Sequence, residues 1–123
     1  MTNEVVINNN SIYITYNNKI ICRHLSLIRF CKSYGRKTKI YFDADIPEIA
    51  PIGLNKLLLL LPADSFKQCH ANFIINLLIM DQGYFFNYNL YYKSHVIPVS
   101  RYRVDQLIQC IKYYFNIPVK KVN

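Results

Sequence analysis

The alternation of apolar and polar residues near the amino terminus predicts β-structure. Between residues 11 and 16, Ile12, Ile14 and Tyr16 alternate with Tyr13 and Thr15, which is the period-two pattern of a half-buried strand. Residues 5–7 are also β-rich. The asparagines at residues 8–10 favour a turn between these segments, because Asn tolerates left-handed backbone. A second Asn turn is expected at residues 17–18.

A longer spacing between apolar residues predicts a helix at residues 23–34. Leu25, Ile28 and Cys31 would face inward, and Gly35 stands where helices commonly end. Residues three and four apart share one side of a helix. The outer side would therefore carry three cations: Arg29, Lys32 and Arg36.

The same periodicity predicts two further helices. Residues 66–80 have an apolar stripe formed by Phe66, Cys69, Phe73, Leu77 and Met80. Residues 101–115 have an inner face formed by Val104, Leu107, Ile108, Ile111 and Phe115. The Leu57–Leu61 run, which Pro62 terminates, is a short additional candidate.

The remaining β-rich segments complete the predicted fold. Residues 38–42 resemble a strand, and residues 84–99 resemble an aromatic hairpin. The order is then roughly ββαβ(α)αββα. It corresponds to an α+β fold with a mainly antiparallel sheet and about three helices on one face. We expect residues 1–123 to form one compact domain with a short basic tail at residues 120–121.

Composition adds a strong positive charge. The chain has 15 Lys and Arg against 7 Asp and Glu, a net charge of +8. Such a charge attracts polyanions, of which nucleic acid is the commonest. Asn, Ile, Lys, Tyr and Phe make up 58 of the 123 residues. This bias indicates an A/T-rich genome, such as that of a virus, a mobile element, an organelle or an acquired island.

The cysteines and the apolar segments indicate a cytoplasmic protein. Cys22, Cys31, Cys69 and Cys110 are scattered without a CxxC pair, so we expect core thiols in a reducing compartment. The amino terminus lacks the layout of a signal peptide. No apolar stretch approaches the roughly 18 residues that span a bilayer.

Three acids, Asp43, Asp45 and Glu48, are the strongest candidates for catalysis. Two carboxylates at positions i and i+2 after a strand could share a divalent cation, as in metal-dependent nucleases. Asp is also an ordinary turn residue. We interpret these acids as turn residues, and predict no catalytic residue, metal or cofactor. Replacing Asp43 with Asn should then cost little stability, because Asn suits turns equally well.

The histidines offer a second route to an enzyme. His24, His70 and His95 could supply a general acid and base for RNA cleavage without a metal. Nothing in their spacing brings two of them together. A non-enzymatic protein is therefore favoured over an enzyme.

Clusters of cations and aromatic residues favour nucleic acid as the partner. Cations neutralise phosphates, and exposed rings stack on unpaired bases. We predict a small non-enzymatic domain that binds DNA, RNA or a ribonucleoprotein, with no basis for choosing between RNA and DNA or for a sequence specificity. The predicted nucleic-acid-binding residues are Arg29, Lys32, Arg36, Lys37, Lys39, Arg101, Arg103 and Lys112.

A protein-interaction module is the alternative hypothesis. An inhibitor, immunity protein or assembly factor of this charge would dock on an acidic partner protein. The aromatic hairpin would supply the anchors, because Tyr combines a large contact area with a polar tip. The predicted partner-binding residues are Tyr88, Tyr91 and Tyr92.

Overall fold

The structure, a computed structural model, describes residues 2–117. These residues form eleven strands and two α-helices. The strands are β1 (Glu4–Asn8), β2 (Ser11–Tyr16), β3 (Lys19–His24), β4 (Ile28–Tyr34), β5 (Lys37–Phe42), β6 (Glu48–Ala50), β7 (Phe66–His70), β8 (Phe73–Asn76), β9 (Tyr84–Phe86), β10 (Asn89–Tyr92) and β11 (His95–Pro98). The helices are α1 (Leu54–Leu60) and α2 (Val104–Tyr114). The predicted basic tail lies outside the described residues.

The strands form three antiparallel sheets. The amino-terminal sheet has the order β1-β2-β3, the central sheet β6-β5-β4-β8-β7, and the carboxyl-terminal sheet β11-β10-β9. One hydrophobic core joins the amino-terminal sheet and α1 to the central sheet. A second core joins the carboxyl-terminal sheet and α2 to the central sheet. The α+β class, with mainly antiparallel strands, is confirmed.

The central sheet is therefore buried on both faces. On β4 and β8, Ile28 and Ile74 enter the first core, whereas Phe30 and Ile75 enter the second. A strand covered on both faces shows a continuous apolar run instead of alternation. Such a run cannot be distinguished from a buried helix by periodicity.

The predicted helix at residues 23–34 is wrong. Residues 25–27 form a short 3₁₀ turn, and β4 follows. The register shifts between Ile28 and Phe30, so Arg29 is an extra residue in β4 relative to β5. A bulge of this kind interrupts the alternation of side chains. It places Ile28 and Cys31 in the same core three residues apart, which produced the helix-like spacing.

The predicted helix at residues 66–80 is also wrong. The segment consists of β7, β8 and a 3₁₀ segment over residues 77–81. A second register shift makes Cys69 the extra residue in β7. Phe66 packs in the first core and Cys69 in the second, so their spacing of three reflects a strand that is covered on both faces. The main part of each apparent helix, β4 in the first and β7 with β8 in the second, therefore belongs to the central sheet.

Several local predictions are confirmed. Strand β2 lies at residues 11–16, as predicted. Helix α2 corresponds to the predicted carboxyl-terminal helix, and α1 corresponds to the short leucine-rich candidate. Asn9, Asn10, Asn17 and Asn18 all have positive φ, as expected for turns. The helices do not share one face, because α1 packs in the first core and α2 packs in the second.

The predicted core thiols are confirmed for two cysteines. Cys31 and Cys69 are buried, and all four cysteines are free. Burial raises the pKa of both thiols, that of Cys69 to about 12. The prediction is wrong for Cys22, which is exposed on β3, an edge strand of the amino-terminal sheet.

Gly83 lies where a side chain would collide with backbone. A Cβ there would be 2.8 Å from the Tyr91 carbonyl oxygen and 3.1 Å from that of Ile79. We expect Gly83→Ala to lower the free energy of unfolding by about 1–3 kcal/mol, because the backbone must move. Urea denaturation measures the change. Gly53→Ala is the matched control, since its Cβ would meet only an ordinary contact at 3.6 Å. Equal stability of the two variants would contradict the prediction.

Candidate nucleic-acid interface

The hairpin of β4 and β5 gathers four cations at one end. Its register places Lys32 opposite Lys39 and Tyr34 opposite Lys37. Gly35, with φ of +61°, forms the turn, and Arg36 is exposed beside it. We call this group of Lys32, Arg36, Lys37 and Lys39 the hairpin end. Paired residues on neighbouring strands lie about 5 Å apart, so Lys32 and Lys39 concentrate positive charge.

The turn between β7 and β8 lies at the hairpin end. The Ser33 amide donates a hydrogen bond of 2.9 Å to the Asn72 carbonyl oxygen. The Lys32 Nζ lies 5.8 Å from the centre of the Phe73 ring. That ring in turn has an edge contact with the His70 ring, with their centres 5.8 Å apart. Basic and aromatic groups thus continue from β4 to β7.

A second basic region joins this surface through Ser100. The Ser100 amide donates a hydrogen bond of 2.9 Å to the carbonyl oxygen of Cys69, next to His70. Arg103 Nη1 donates to the Ser100 Oγ at 3.1 Å. Arg101 stacks over the Tyr88 ring at 5.0 Å. We define the basic arc as Lys32, Arg36, Lys37, Lys39, His70, Arg101 and Arg103.

Two of the carboxylates that form salt bridges, those of Asp43 and Asp45, follow the other end of β5, and the third, that of Glu48, lies on β6 opposite Ile40. The salt bridges among residues 2–117 involve three acids: Asp43, Asp45 and Glu48. None of the Lys and Arg residues of the arc takes part. Asp43 follows β5, whereas Lys37 begins it. At about 3.3 Å per residue, the acidic and basic ends are roughly 20 Å apart.

Asp43 joins the central and carboxyl-terminal sheets through two ion pairs. Its carboxylate lies 3.0 Å from Arg29 Nη2 and 3.2 Å from Lys93 Nζ. The hydrogen bond from the Arg29 guanidinium, followed by that from Lys93, holds the pKa of Asp43 below its usual value. The same contact raises the pKa of Lys93. These three residues line a cleft of about 510 Å³. Asp43 therefore connects two sheets in addition to standing in a turn.

The other two acids have separate partners. The Ile46 amide donates a hydrogen bond of 2.8 Å to the Asp45 carboxylate, which lowers the pKa of Asp45. Arg23 Nε lies 3.1 Å from the same side chain. Glu48 pairs with Lys19 at 2.9 Å. No cluster of three metal-ligating side chains occurs within residues 2–117.

Comparison with known proteins identifies the family. The family model described as the LytTR DNA-binding domain matches residues 18–112, from the start of β3 into α2. The chain belongs to the LytTR DNA-binding domain family. No curated protein matches it by sequence.

A solved LytTR domain has the same fold. It is the DNA-binding domain of a methyl-accepting/DNA response regulator from Bacillus cereus, with a TM-score of 0.70 and 19% sequence identity. The alignment covers 85% of this chain and 98% of that domain. No helix within residues 2–117 is long and apolar enough to cross a membrane.

The LytTR fold brings six of the eight predicted nucleic-acid-binding residues into the arc. The two exceptions are Arg29 and Lys112. Arg29 is paired with Asp43, and its side chain is only 16% exposed. Lys112 lies on α2, nine residues beyond Arg103, which is about 13 Å along a helix. The expected helical face shared by Arg29, Lys32 and Arg36 does not exist, because Arg29 and Lys32 lie on a bulged strand.

The three predicted partner-binding tyrosines have different environments in this LytTR domain. Tyr92 is 4% exposed and belongs to the second core, so it cannot anchor a partner. Tyr91 points outward and stacks on Tyr84, with ring centres 5.0 Å apart. Tyr88 is exposed beneath Arg101. Alternate residues of β10 are buried, which explains why Tyr92 lies in the core and Tyr91 does not.

The sequence reasoning missed the bridging residues of the arc. It assigned His70 to the middle of a helix and gave Asn72 no role. In the structure, Ala71 and Asn72 form an exposed turn between two strands. The polar residues His70 and Asn72 between the apolar segments were the available signal for this turn.

The ion pairs of Asp43 predict a dependence of stability on pH. The folded-state pKa of Asp43 lies below its ordinary 3.8. Its contribution to stability is therefore present above that value and lost as the pH falls through the folded pKa. We expect Asp43→Asn to have a lower Tm than the parent protein at about pH 7, with the gap closing below about pH 3. Thermal denaturation across this range tests it. Asp64→Asn is the control; a gap independent of pH would contradict the prediction.

Proposed function

We propose that this LytTR domain binds double-stranded DNA through the basic arc, as a binding protein without catalytic activity. The observation that carries the proposal is the series of contacts through Phe73, His70 and Ser100 that connects the hairpin end to Arg103, in a chain from a DNA-binding family. These cations came from two distant parts of the sequence. Part of the net charge of +8 is therefore concentrated on the basic arc.

The width of the arc suits a duplex. Strands β5 and β7 are separated by three inter-strand spacings, about 14 Å in all. The major groove of B-DNA is about 12 Å wide. Cations at the two sides of the arc can therefore contact phosphates on the two sides of the groove. The exposed turn with His70 and Asn72, which joins β7 to β8, would then lie on the β7 side of the groove.

The segregation of charge supports the same partner. Phosphates are attracted by cations that are not already neutralised. The hairpin-end cations Lys32, Lys37 and Lys39 approach aromatic rings, at distances of 5.4–5.8 Å. Arg29 and Lys93 already pair with Asp43. DNA would consequently be drawn to the arc and not to the opposite end of β5.

Double-stranded DNA is favoured over RNA and over an acidic protein. The A-form RNA helix has a deep, narrow major groove that side chains cannot enter. Exposed rings that could stack on a single strand do occur beside the arc, on Tyr34, Tyr88 and Tyr102, so the choice of DNA depends on the family match. An acidic protein would meet the charge of the arc, but the family match favours DNA.

Removing two cations of the hairpin end tests the proposal. We expect Lys32→Ala/Lys39→Ala to weaken binding to a mixed-sequence duplex of about 15 bp, measured by fluorescence polarisation over a series of salt concentrations. Losing two phosphate contacts should reduce the slope of log K against log salt by about 1.8. Lys112→Ala is the matched control, since Lys112 lies outside the arc. It should change neither the affinity nor the slope.

Three results would contradict the proposal. The parent protein could fail to bind the duplex at low salt. The double variant could bind like the parent. Lys112→Ala could weaken binding as much as the double variant does, which would mean that charge acts without regard to position. Thermal denaturation of each variant shows whether it is folded.

A further inference from the structure

The cleft beside Asp43 is large enough to hold a small molecule. Its volume is about 510 Å³, whereas four other clefts in residues 2–117 have volumes of about 200–290 Å³. Binding sites for small ligands have volumes of roughly 300–1,000 Å³. The cleft lies between strands β4 and β5, the loop at residues 43–47 and the turn between β10 and β11. None of the residues that line it belongs to the basic arc.

One wall of the cleft is aromatic. The Phe30 and Tyr41 rings stack with their centres 4.2 Å apart and their planes 11° from parallel. The His95 ring has edge contacts with both, at 4.9 and 5.3 Å. Phe30 is 3% exposed, whereas Tyr41 and His95 are half-buried, so the last two form the surface of the wall. Ile46, which is 67% exposed, adds apolar surface to the cleft. These side chains offer a flat, apolar surface to the ring of a ligand.

Two turns that line the cleft have strained backbone. Ala44, Tyr88 and Lys93 are the residues other than Asn and Gly that have positive φ within residues 2–117. Two of them, Ala44 with φ of +54° and Lys93 with φ of +52°, line the cleft. A residue with a Cβ adopts this conformation at a cost in free energy, and such residues cluster at functional sites. The ion pair between Asp43 and Lys93, at 3.2 Å, joins the two turns and so fixes the shape of the cleft.

The charges around the cleft sum to a positive value. Asp43 pairs with Arg29 and Lys93. Asp45, the other acid that lines the cleft, pairs with Arg23. Three cations against two carboxylates leave a net charge of +1. The cleft therefore attracts a ligand with a negative charge and repels a cation.

Lys93 is the side chain placed to hold such an anion. Its ammonium group has three donors, and Asp43 accepts one of them at 3.2 Å. The side chain is 51% exposed, so the remaining donors can reach a ligand. Lys39 adds positive charge, because its Nζ lies 5.4 Å from the centre of the Tyr41 ring. Hydrogen bonds between an ammonium group and a carboxylate are stronger than those between neutral groups.

We propose that the cleft binds a small aromatic carboxylate, with its ring against Tyr41 and His95 and its carboxylate accepting a hydrogen bond from Lys93. A neutral ring would make no use of the positive charge of the cleft. An inorganic anion would make no use of the aromatic wall. The proposal is independent of the proposed DNA binding, because none of the three residues belongs to the basic arc.

An aromatic carboxylate and its neutral analogue test the proposal. Cinnamate and cinnamyl alcohol share the ring but differ in charge, and acetate has the charge without the ring. Each is titrated into the full chain and followed by amide NMR. We expect cinnamate to bind with a Kd on the order of 1 mM and to shift the amide signals of Ala44, Ile46, Lys93 and His95. Cinnamyl alcohol should bind about fivefold more weakly, because it lacks the charge. Acetate should not bind measurably, because it lacks the ring.

Variants at exposed positions locate the ligand. Ile46 lines the cleft and is 67% exposed, so Ile46→Glu adds a negative charge there without removing a core residue. It should weaken the binding of cinnamate about fivefold and leave that of cinnamyl alcohol unchanged. Ile20→Glu is the matched control, because Ile20 is 62% exposed but lies on the amino-terminal sheet. It should bind cinnamate like the parent. Tyr41→Val should weaken the binding of both compounds, because it removes a ring of the aromatic wall.

Four results would overturn the proposal. Cinnamate could cause no saturable shift at the cleft. The shifts could centre on Arg36 and Lys37, which would mean that the anion binds the basic arc. Cinnamate and cinnamyl alcohol could bind with equal affinity, which would mean that charge has no role. Ile46→Glu and Ile20→Glu could bind cinnamate equally well, which would place the ligand outside the cleft. DNA is absent from every measurement, so these results are separate from those that test the proposed function.

Discussion

Burial of the central sheet on both faces is the constraint from which the rest of the structure follows. Two cores pack against this sheet, so its strands carry large apolar residues on either side. Cations cannot be placed within those cores without a large desolvation cost. Lys32 and Lys39 share a face with Phe30 and Tyr41. They lie nearer the hairpin turn, where the second core no longer covers this face. The architecture thus places the cations of β4 and β5 that form no salt bridge near the turn of the hairpin, whereas Arg29 at the other end pairs with Asp43.

The same constraint explains the division of charge. The strands run across the molecule, and each end of the sheet meets solvent through turns. The loop after β5 holds Asp43 and Asp45, whose ion pairs stabilise the cleft between two sheets. The opposite end holds cations without acidic partners. A molecule with this distribution attracts a polyanion in one orientation, which is more useful to a DNA-binding domain than a uniform positive surface.

Some elements of the fold could be predicted because local patterns in the sequence indicate them. Strand β2 has one buried face and therefore alternates, and the Asn-rich turns adopt positive φ because Asn tolerates it. Helix α2 packs one face on the second core, so its period is visible. Strand β4 was misread because a bulge places Ile28 and Cys31, three residues apart, in the same core. Strand β7 was misread because its apolar residues face two different cores. The packing that creates this spacing is not local.

The sequence alone determined the fold class, the excess of cations and the identity of most residues in the arc. It could not determine which cations act together. Lys32 and Lys39 become neighbours through strand register, and Arg103 joins them through Ser100 and the backbone of β7. Arg29, only three residues from Lys32, is withdrawn into an ion pair by the bulge. Net charge is a sum over the chain, whereas a binding surface depends on long-range pairing of strands, so only the tertiary structure decided where the surface lies.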